Sequence, residues 1–170
     1  ATTEEKELAL QQLNQAVNQY TKEVSSAQTN QNVADVLSKA LKDIEQIMPN
    51  IEVKPAAVKV LKELSSQIKT HINDTNEATQ EEKNDAINQL EEALKNSIDT
   101  VDQSLTNAEV AKAKIEWEIL IKSIKPIVKV KPEANEALTS IAQRVIQDFD
   151  RIIEATQEEK DEAIAKVHKE

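Results

Sequence analysis

Ala78-Thr79-Gln80-Glu81-Glu82-Lys83 stands at the centre of the chain, and it occurs in three versions. It appears as Ala1-Thr2-Thr3-Glu4-Glu5-Lys6 one period earlier and as Ala155-Thr156-Gln157-Glu158-Glu159-Lys160 one period later, at steps of 77 residues. The same offset carries Pro49 onto Pro126, Val53-Lys54-Pro55 onto Val130-Lys131-Pro132, Ala57 onto Ala134, and Leu61 onto Leu138. Laid on 78–154 without a gap, residues 1–77 agree at roughly 30% of positions, and register kept over a whole unit marks a tandem repeat. The expected organisation is a repeat unit over 1–77, a second over 78–154, and the first part of a third over 155–170.

Each version of the motif has the chemistry of a helix start. In Thr2-x-x-Glu5, Thr79-x-x-Glu82 and Thr156-x-x-Glu159 the hydroxyl can accept from the N3 amide while the carboxylate reaches back to the cap amide. Thr106-x-x-Glu109 is a fourth such box, with Leu105 and Val110 spaced as a hydrophobic staple, and Thr29 or Asn30 takes that place in the first unit without the glutamate. Downstream, apolar residues recur at steps of three and four, the spacing of one helix face. They run Leu10, Leu13, Val17, Tyr20, Val24, then Val33 to Ile47, then Ala57, Leu61, Leu64, Ile68, Ile72. The second unit repeats this from Ile87 to Val101, Val110 to Ile124, and Leu138 to Ile152. Pro49 and Pro126 end the second helix of each unit, and Pro55 and Pro132 fall where a first-turn proline is tolerated. The segments Pro49–Lys54 and Pro126–Lys131 are expected to be extended, with a short kink at each junction between units. Three amphipathic helices per unit predict an all-α fold of tandem three-helix, up-down-up bundles. An odd helix count places the start and end of a unit at opposite ends, so copies would join end to end as an elongated rod. A helix of about 24 residues rises ~36 Å.

Composition narrows function. The 170 residues include no Gly and no Cys, 2% aromatic and 31% charged residues, and the formal net charge is −10. Without glycine there is no phosphate loop or dinucleotide fingerprint, since both need the backbone to approach a ligand closely. Without cysteine there are no disulfides, thiolate metal sites or thiol nucleophiles. An acidic chain lacks the electrostatic footprint of a nucleic-acid binder, and no apolar run reaches the length of a membrane span.

The remaining candidate residues read as structural. The paired carboxylates Glu4-Glu5, Glu81-Glu82, Glu91-Glu92 and Glu158-Glu159 lie in first turns or on outward helix faces, whereas a general acid needs burial to shift its pKa. His71 and His168 are far apart and have no convergent ligands, while zinc wants three or four. Trp117 lies on an apolar stripe and reads as core. Its counterpart is Ala40, so the two units must pack differently around their second helix. Lys122, Lys125, Lys129 and Lys131 form a local basic cluster that could touch a polyanion, but reads more simply as a solvated loop. Charge by unit is −3, −5 and −2, so no block is basic. The expectation is no catalytic, cofactor-binding or metal site, and no cofactor.

The Ala-Thr-x-Glu-Glu-Lys opening, the Thr-Asn-x-x-Val-Ala step (Thr29-Asn30…Val33-Ala34; Thr106-Asn107…Val110-Ala111) and the Val-Lys-Pro-x-Ala segment resemble one repeat type over the whole chain. It is the domain of unknown function that forms long tandem arrays in staphylococcal cell-wall-anchored surface proteins. The resemblance implies an extracellular parent, anchored through a region C-terminal to this stretch and linked to adhesion, cell aggregation and biofilm, with the repeats as a stalk. Neighbouring repeats would be the partners of a monomeric, non-catalytic module. The alternative is a binding module for a host extracellular protein or for a like module on another cell.

Overall fold

A computed structural model describes residues 1–152 and 156–168, and every regular element among them is helical. The order is α1 (Thr3–Ser26), α2 (Asn30–Glu45), α3 (Val53–Asn73), α4 (Gln80–Gln103), α5 (Asn107–Ser123), α6 (Val130–Asp150) and α7 (Gln157–Val167). The period of 77 residues maps α1, α2 and α3 onto α4, α5 and α6. Two compact units are present: Ala1–Thr70 with Asn88–Ile124, and His71–Ile87 with Lys125–Glu170.

Helix ends follow the side-chain chemistry. Closed capping boxes begin α1, α5 and α7 at Thr2, Thr106 and Thr156, and Thr79 with Glu82 closes the same box ahead of α4. In α2 the cap is Thr29, whose side chain accepts from the Asn32 amide at 3.1 Å. A glycine-free chain must also stop its helices without the left-handed residue that commonly follows them. It does so by turning to extended backbone, at Ala27 (φ −67°, ψ 136°) and Ile124 (φ −75°, ψ 123°). Among the described residues no φ is positive.

Two boundaries differ from expectation. Lys54 and Lys131 already lie in the first turns of α3 and α6, because a proline at the third helical position fits a turn whose amides have no intrahelical acceptor. Leu105, expected to staple to Val110, is 68% exposed, so little of its side chain is buried in any such contact; its carbonyl accepts a hydrogen bond described below. Both junctions interrupt the helices, with Asn73 ending α3 before Gln80 and Asp150 ending α6 before Gln157. Ile153–Ala155, within the second junction, lie outside the described residues.

In the first unit α1 packs against α2. Helices α3 and α4 run antiparallel: Lys54 Nζ donates to the Asp102 carbonyl near the end of α4, and Lys69 pairs with Glu91 at 3.0 Å further along. Helix α5 runs parallel to α3, forming an apolar groove of ≈ 310 Å³ with Val53, Ala56 and Val60 on one side and Val110 and Ile115 on the other. Leu61, Leu90, Val101 and Ile121 are wholly buried here, each burial stabilising by about 1.5–3 kcal/mol. Small residues (Ala57, Ser65, Ala93, Ser97, Ala113) are buried beside them and let the helices approach. In the second unit Ile72, Ala78 and Ala86 are buried, and α6 packs against α7.

Candidate functional site

The repeated motif builds one junction, in which its threonine, its second glutamate and its lysine have separate tasks. In the first copy Thr2 Oγ1 accepts from the Glu5 amide at 3.4 Å, and Glu5 Oε2 accepts from the Thr2 amide at 2.8 Å. That closes the capping box. The other carboxylate oxygen, Oε1, accepts from the Glu52 amide at 2.8 Å and the Val53 amide at 2.9 Å. One side chain thus caps its own helix and the start of α3. The second copy repeats the arrangement: Glu82 Oε2 accepts from Thr79 at 2.7 Å, and Oε1 accepts from Lys129 at 2.8 Å and Val130 at 3.1 Å.

This explains how α6, and by the same pattern α3, begins without a capping side chain of its own. Lys129 sits at the cap of α6 and makes no side-chain cap hydrogen bond. A helix start exposes four amides without intrahelical acceptors. The distant glutamate takes two of them, and the proline at the third helical position (Pro55, Pro132) removes one more by having no N–H.

The lysine of the motif works at the opposite helix pole. Lys83 Nζ donates to the Asn73 carbonyl at 2.7 Å, and Lys160 Nζ to the Asp150 carbonyl at 3.5 Å. Both acceptors are last-turn carbonyls of the preceding helix, where a cation is favoured by unsatisfied C=O groups and by the dipole. In the first unit the junction also engages α5. Thr2 Oγ1 donates to Asn107 Oδ1 at 2.7 Å, the Asn107 amide donates to Glu4 Oε2 at 3.0 Å, and the Thr3 amide donates to the Leu105 carbonyl at 2.8 Å. Thr2 is fully buried there.

Electrostatics follow from the amides. Donation by Val53, Glu52 and Thr2 holds the Glu5 carboxyl down to about 2. Thr79, Lys129 and Val130 do the same for Glu82, also to about 2. The Glu159 carboxyl is lowered by the amide and hydroxyl of its own cap, Thr156. A general acid or base is tuned towards the working pH, and these shifts run the other way. The junction holds fixed negative charge against backbone donors, which is chemistry for fastening helices.

The other weighed residues are placed as follows. Glu91 is the ion-pair partner of Lys69. His71 and His168 are exposed, in the last turn of α3 and at the C-cap of α7. Among the described residues no group of three or more His, Asp or Glu is placed to hold a metal ion. No helix among them is long and apolar enough to cross a membrane. Of the lysine cluster, Lys131 Nζ is engaged by the Asn76 carbonyl at 2.8 Å, and Lys122 occupies the last turn of α5.

Trp117 is half-buried, and its indole N–H donates to Thr100 Oγ1 at 3.1 Å. Thr100 lies one turn beyond the fully buried Ser97. In the first hairpin the large residue is on the other helix. Buried Tyr20, the counterpart of Ser97, donates its hydroxyl to Asp43, one turn beyond buried Ala40, the counterpart of Trp117. The large–small pair has changed sides, so each hairpin fills its interior with one aromatic. The Asp43 hydrogen bond pushes the Tyr20 hydroxyl up to about 12.

A motif that fastens helices at a fixed period defines the class as a tandem helical repeat module, and the comparisons give its family. The chain belongs to the family described as Domain of Unknown Function (DUF1542), which matches residues 1–52 and 53–129. The second match spans one full period and starts at Val53, the residue clasped by Glu5. Among similar proteins is an extracellular matrix-binding protein, ebh, of Staphylococcus aureus strain MW2, 24% identical over 163 residues. The EbhA proteins of strains Mu3 and Newman are 27% and 24% identical over the same length. Each alignment covers 94% of this chain but only 2% of the MW2 and Mu3 proteins and 5% of the Newman protein. The staphylococcal surface-protein resemblance carried by the motifs is thereby established. No solved structure matches.

Proposed function

We propose that the chain is a non-catalytic repeat segment in the stalk of a staphylococcal surface adhesin, outside the cell and anchored to its wall, where it spaces a binding region from the surface during aggregation and biofilm growth. The observation that carries this is the junction repeated at 77 residues, with Glu5 on Val53 and Glu82 on Val130. A device that fastens successive helices at a fixed period builds length by addition. The unit is the 77-residue period, counted from Ala1 as 1–77, 78–154 and the beginning of a third, or from Val53 in the family's frame. Each unit is a three-helix, up-down-up bundle, and its odd helix count makes copies run end to end with neighbouring repeats as partners. Stability then accumulates per unit with a coupling term between neighbours.

Small-angle scattering tests the spacer. A compact chain of this length would have a radius of gyration of ~15 Å, and a value that small overturns the rod, whereas a clearly larger one is expected.

A second reading is favoured by the names of the relatives, which describe binding to extracellular matrix. In that case the repeat faces themselves carry the contact. Purified repeat arrays passed over immobilised host matrix proteins separate the two: no retention is expected of a spacer, and saturable retention would give the repeats a ligand.

A further inference from the structure

Glu4 and Glu5 are neighbours in the first turn of α1, yet their carboxylates serve two different helices. Glu4 Oε2 accepts from the Asn107 amide at 3.0 Å, 103 residues away at the start of α5. Glu5 Oε1 accepts from the Glu52 and Val53 amides at 2.8 and 2.9 Å, at the start of α3. Helices α3 and α5 run parallel, so the acidic pair meets two helix starts at one end of their bundle. There the amides have no intrahelical acceptors and the dipole favours negative charge. Two further bonds close the contact: Thr2 Oγ1 donates to Asn107 Oδ1 at 2.7 Å, and the Thr3 amide donates to the Leu105 carbonyl at 2.8 Å.

This contact lies where the two family matches, 1–52 and 53–129, meet. The acidic pair belongs to the first, and Val53, Leu105 and Asn107 belong to the second. We propose that the glutamate pair is a two-pronged plug by which one repeat recognises the next. Glu5 enters the start of the following module's first helix, Glu4 the start of its third, and Asn107 is the residue that selects the plug.

The repeat itself supports this assignment. A capping box accounts for Thr2 and Glu5, but it requires neither Glu4 nor Asn107. Asn107 is not the cap of α5, which is Thr106. Even so, Glu4 recurs as Glu81 and Glu158, and Asn107 has Asn30 as its counterpart after Thr29. Positions that contribute backbone are freer: Leu105 corresponds to Gln28, Glu52 to Lys129, and Thr3 to Gln80 and Gln157. Glu82 repeats the first prong on the Lys129 and Val130 amides. A carboxylate only accepts and an amide N–H only donates, so the two halves differ and the joint has a direction. The proposal rests on neighbouring repeats being partners, and it names the surfaces they use.

Amide hydrogen exchange of the 170-residue chain, read residue by residue by NMR, tests it. Glu4→Gln keeps the shape and removes the charge, and it should speed exchange of the Asn107 amide about tenfold, as expected for a lost charge-assisted bond. Glu5→Gln should do the same at Glu52 and Val53. In both variants the helical spectrum and the exchange of Leu90 and Ile121, inside the bundle, should stay as in the parent. Asn107→Pro deletes the amide at a position where proline is tolerated. In that background Glu4→Gln should no longer change stability in urea, although it lowers the stability of the parent. Exchange at Asn107 unmoved by Glu4→Gln, effects confined to α1, or strict additivity of Glu4→Gln with Asn107→Pro would each overturn the plug. None of those results bears on the stalk, which stands or falls by scattering; a compact radius with the exchange shifts present would remove the stalk and keep the joint.

Discussion

At the scale of single residues, Glu5 and Glu82 do more than a capping box asks. A carboxylate has enough acceptor capacity for several amides, and each of these serves one helix start through Oε2 and a second through Oε1. Their pKa values are lowered from 4.5 to about 2 in the folded chain. A depressed carboxyl contributes stability that is present above the unfolded value and lost as pH falls through the folded one. Thermal stability is therefore expected to fall as the pH is lowered from about 4.5 to about 2. Glu5→Gln and Glu82→Gln should lower the melting temperature at neutral pH and flatten that acid limb; variants as stable as the parent at pH 7 would dismiss the clasp. The exchanged aromatics make a second test. Trp117→Ala should cost about 2 kcal/mol, below the fully buried range because the indole is half-exposed. Adding Ser97→Tyr, which restores the arrangement of the first hairpin, should recover part of the loss. A urea-denaturation double-mutant cycle reads the coupling, and strict additivity would mean the two sites do not share a space.

At the scale of the element, each helix start was legible to the extent that its capping group is local. Thr2, Thr79, Thr106 and Thr156 were visible because cap and glutamate stand three residues apart. The starts of α3 and α6 were legible only through Pro55 and Pro132, since their caps come from 47 and 48 residues away. The recurrence of Glu5 as Glu82 was a signal, but it fits a capping box alone equally well. The caps should also differ in worth. Thr29 is an exposed cap, and Thr29→Ala should cost about 1 kcal/mol. Thr2 is buried and also donates to Asn107, so Thr2→Ala strands a partner and should cost about 2–3 kcal/mol. Equal losses in chemical denaturation would show that the Asn107 bond contributes nothing.

At the scale of the whole molecule, what matters is which helices cover one another. Three apolar stripes per period implied three helices packed together without saying which three. The tertiary structure lays α3 against α4 and α5, the grouping that the family's frame, beginning at Val53, also makes. With no cysteine to cross-link or reshuffle, thermal unfolding should reverse fully on cooling. Circular dichroism through repeated heating cycles checks this, and progressive loss of helical signal at low concentration would contradict it.

The sequence by itself determined the helical class, the period, the capping threonines and the absence of glycine-dependent or thiol-dependent chemistry. All of these depend on residue type and on neighbours within about one helical turn. Only the tertiary structure decided that Glu5 and Glu82 reach across to α3 and α6, that Tyr20 and Trp117 fill corresponding interiors from opposite helices, and that α3 is the helix that covers α4 and α5. Those outcomes depend on contacts between residues far apart in the chain. There an amphipathic stripe states that a face must be covered, and geometry alone selects the helix that covers it.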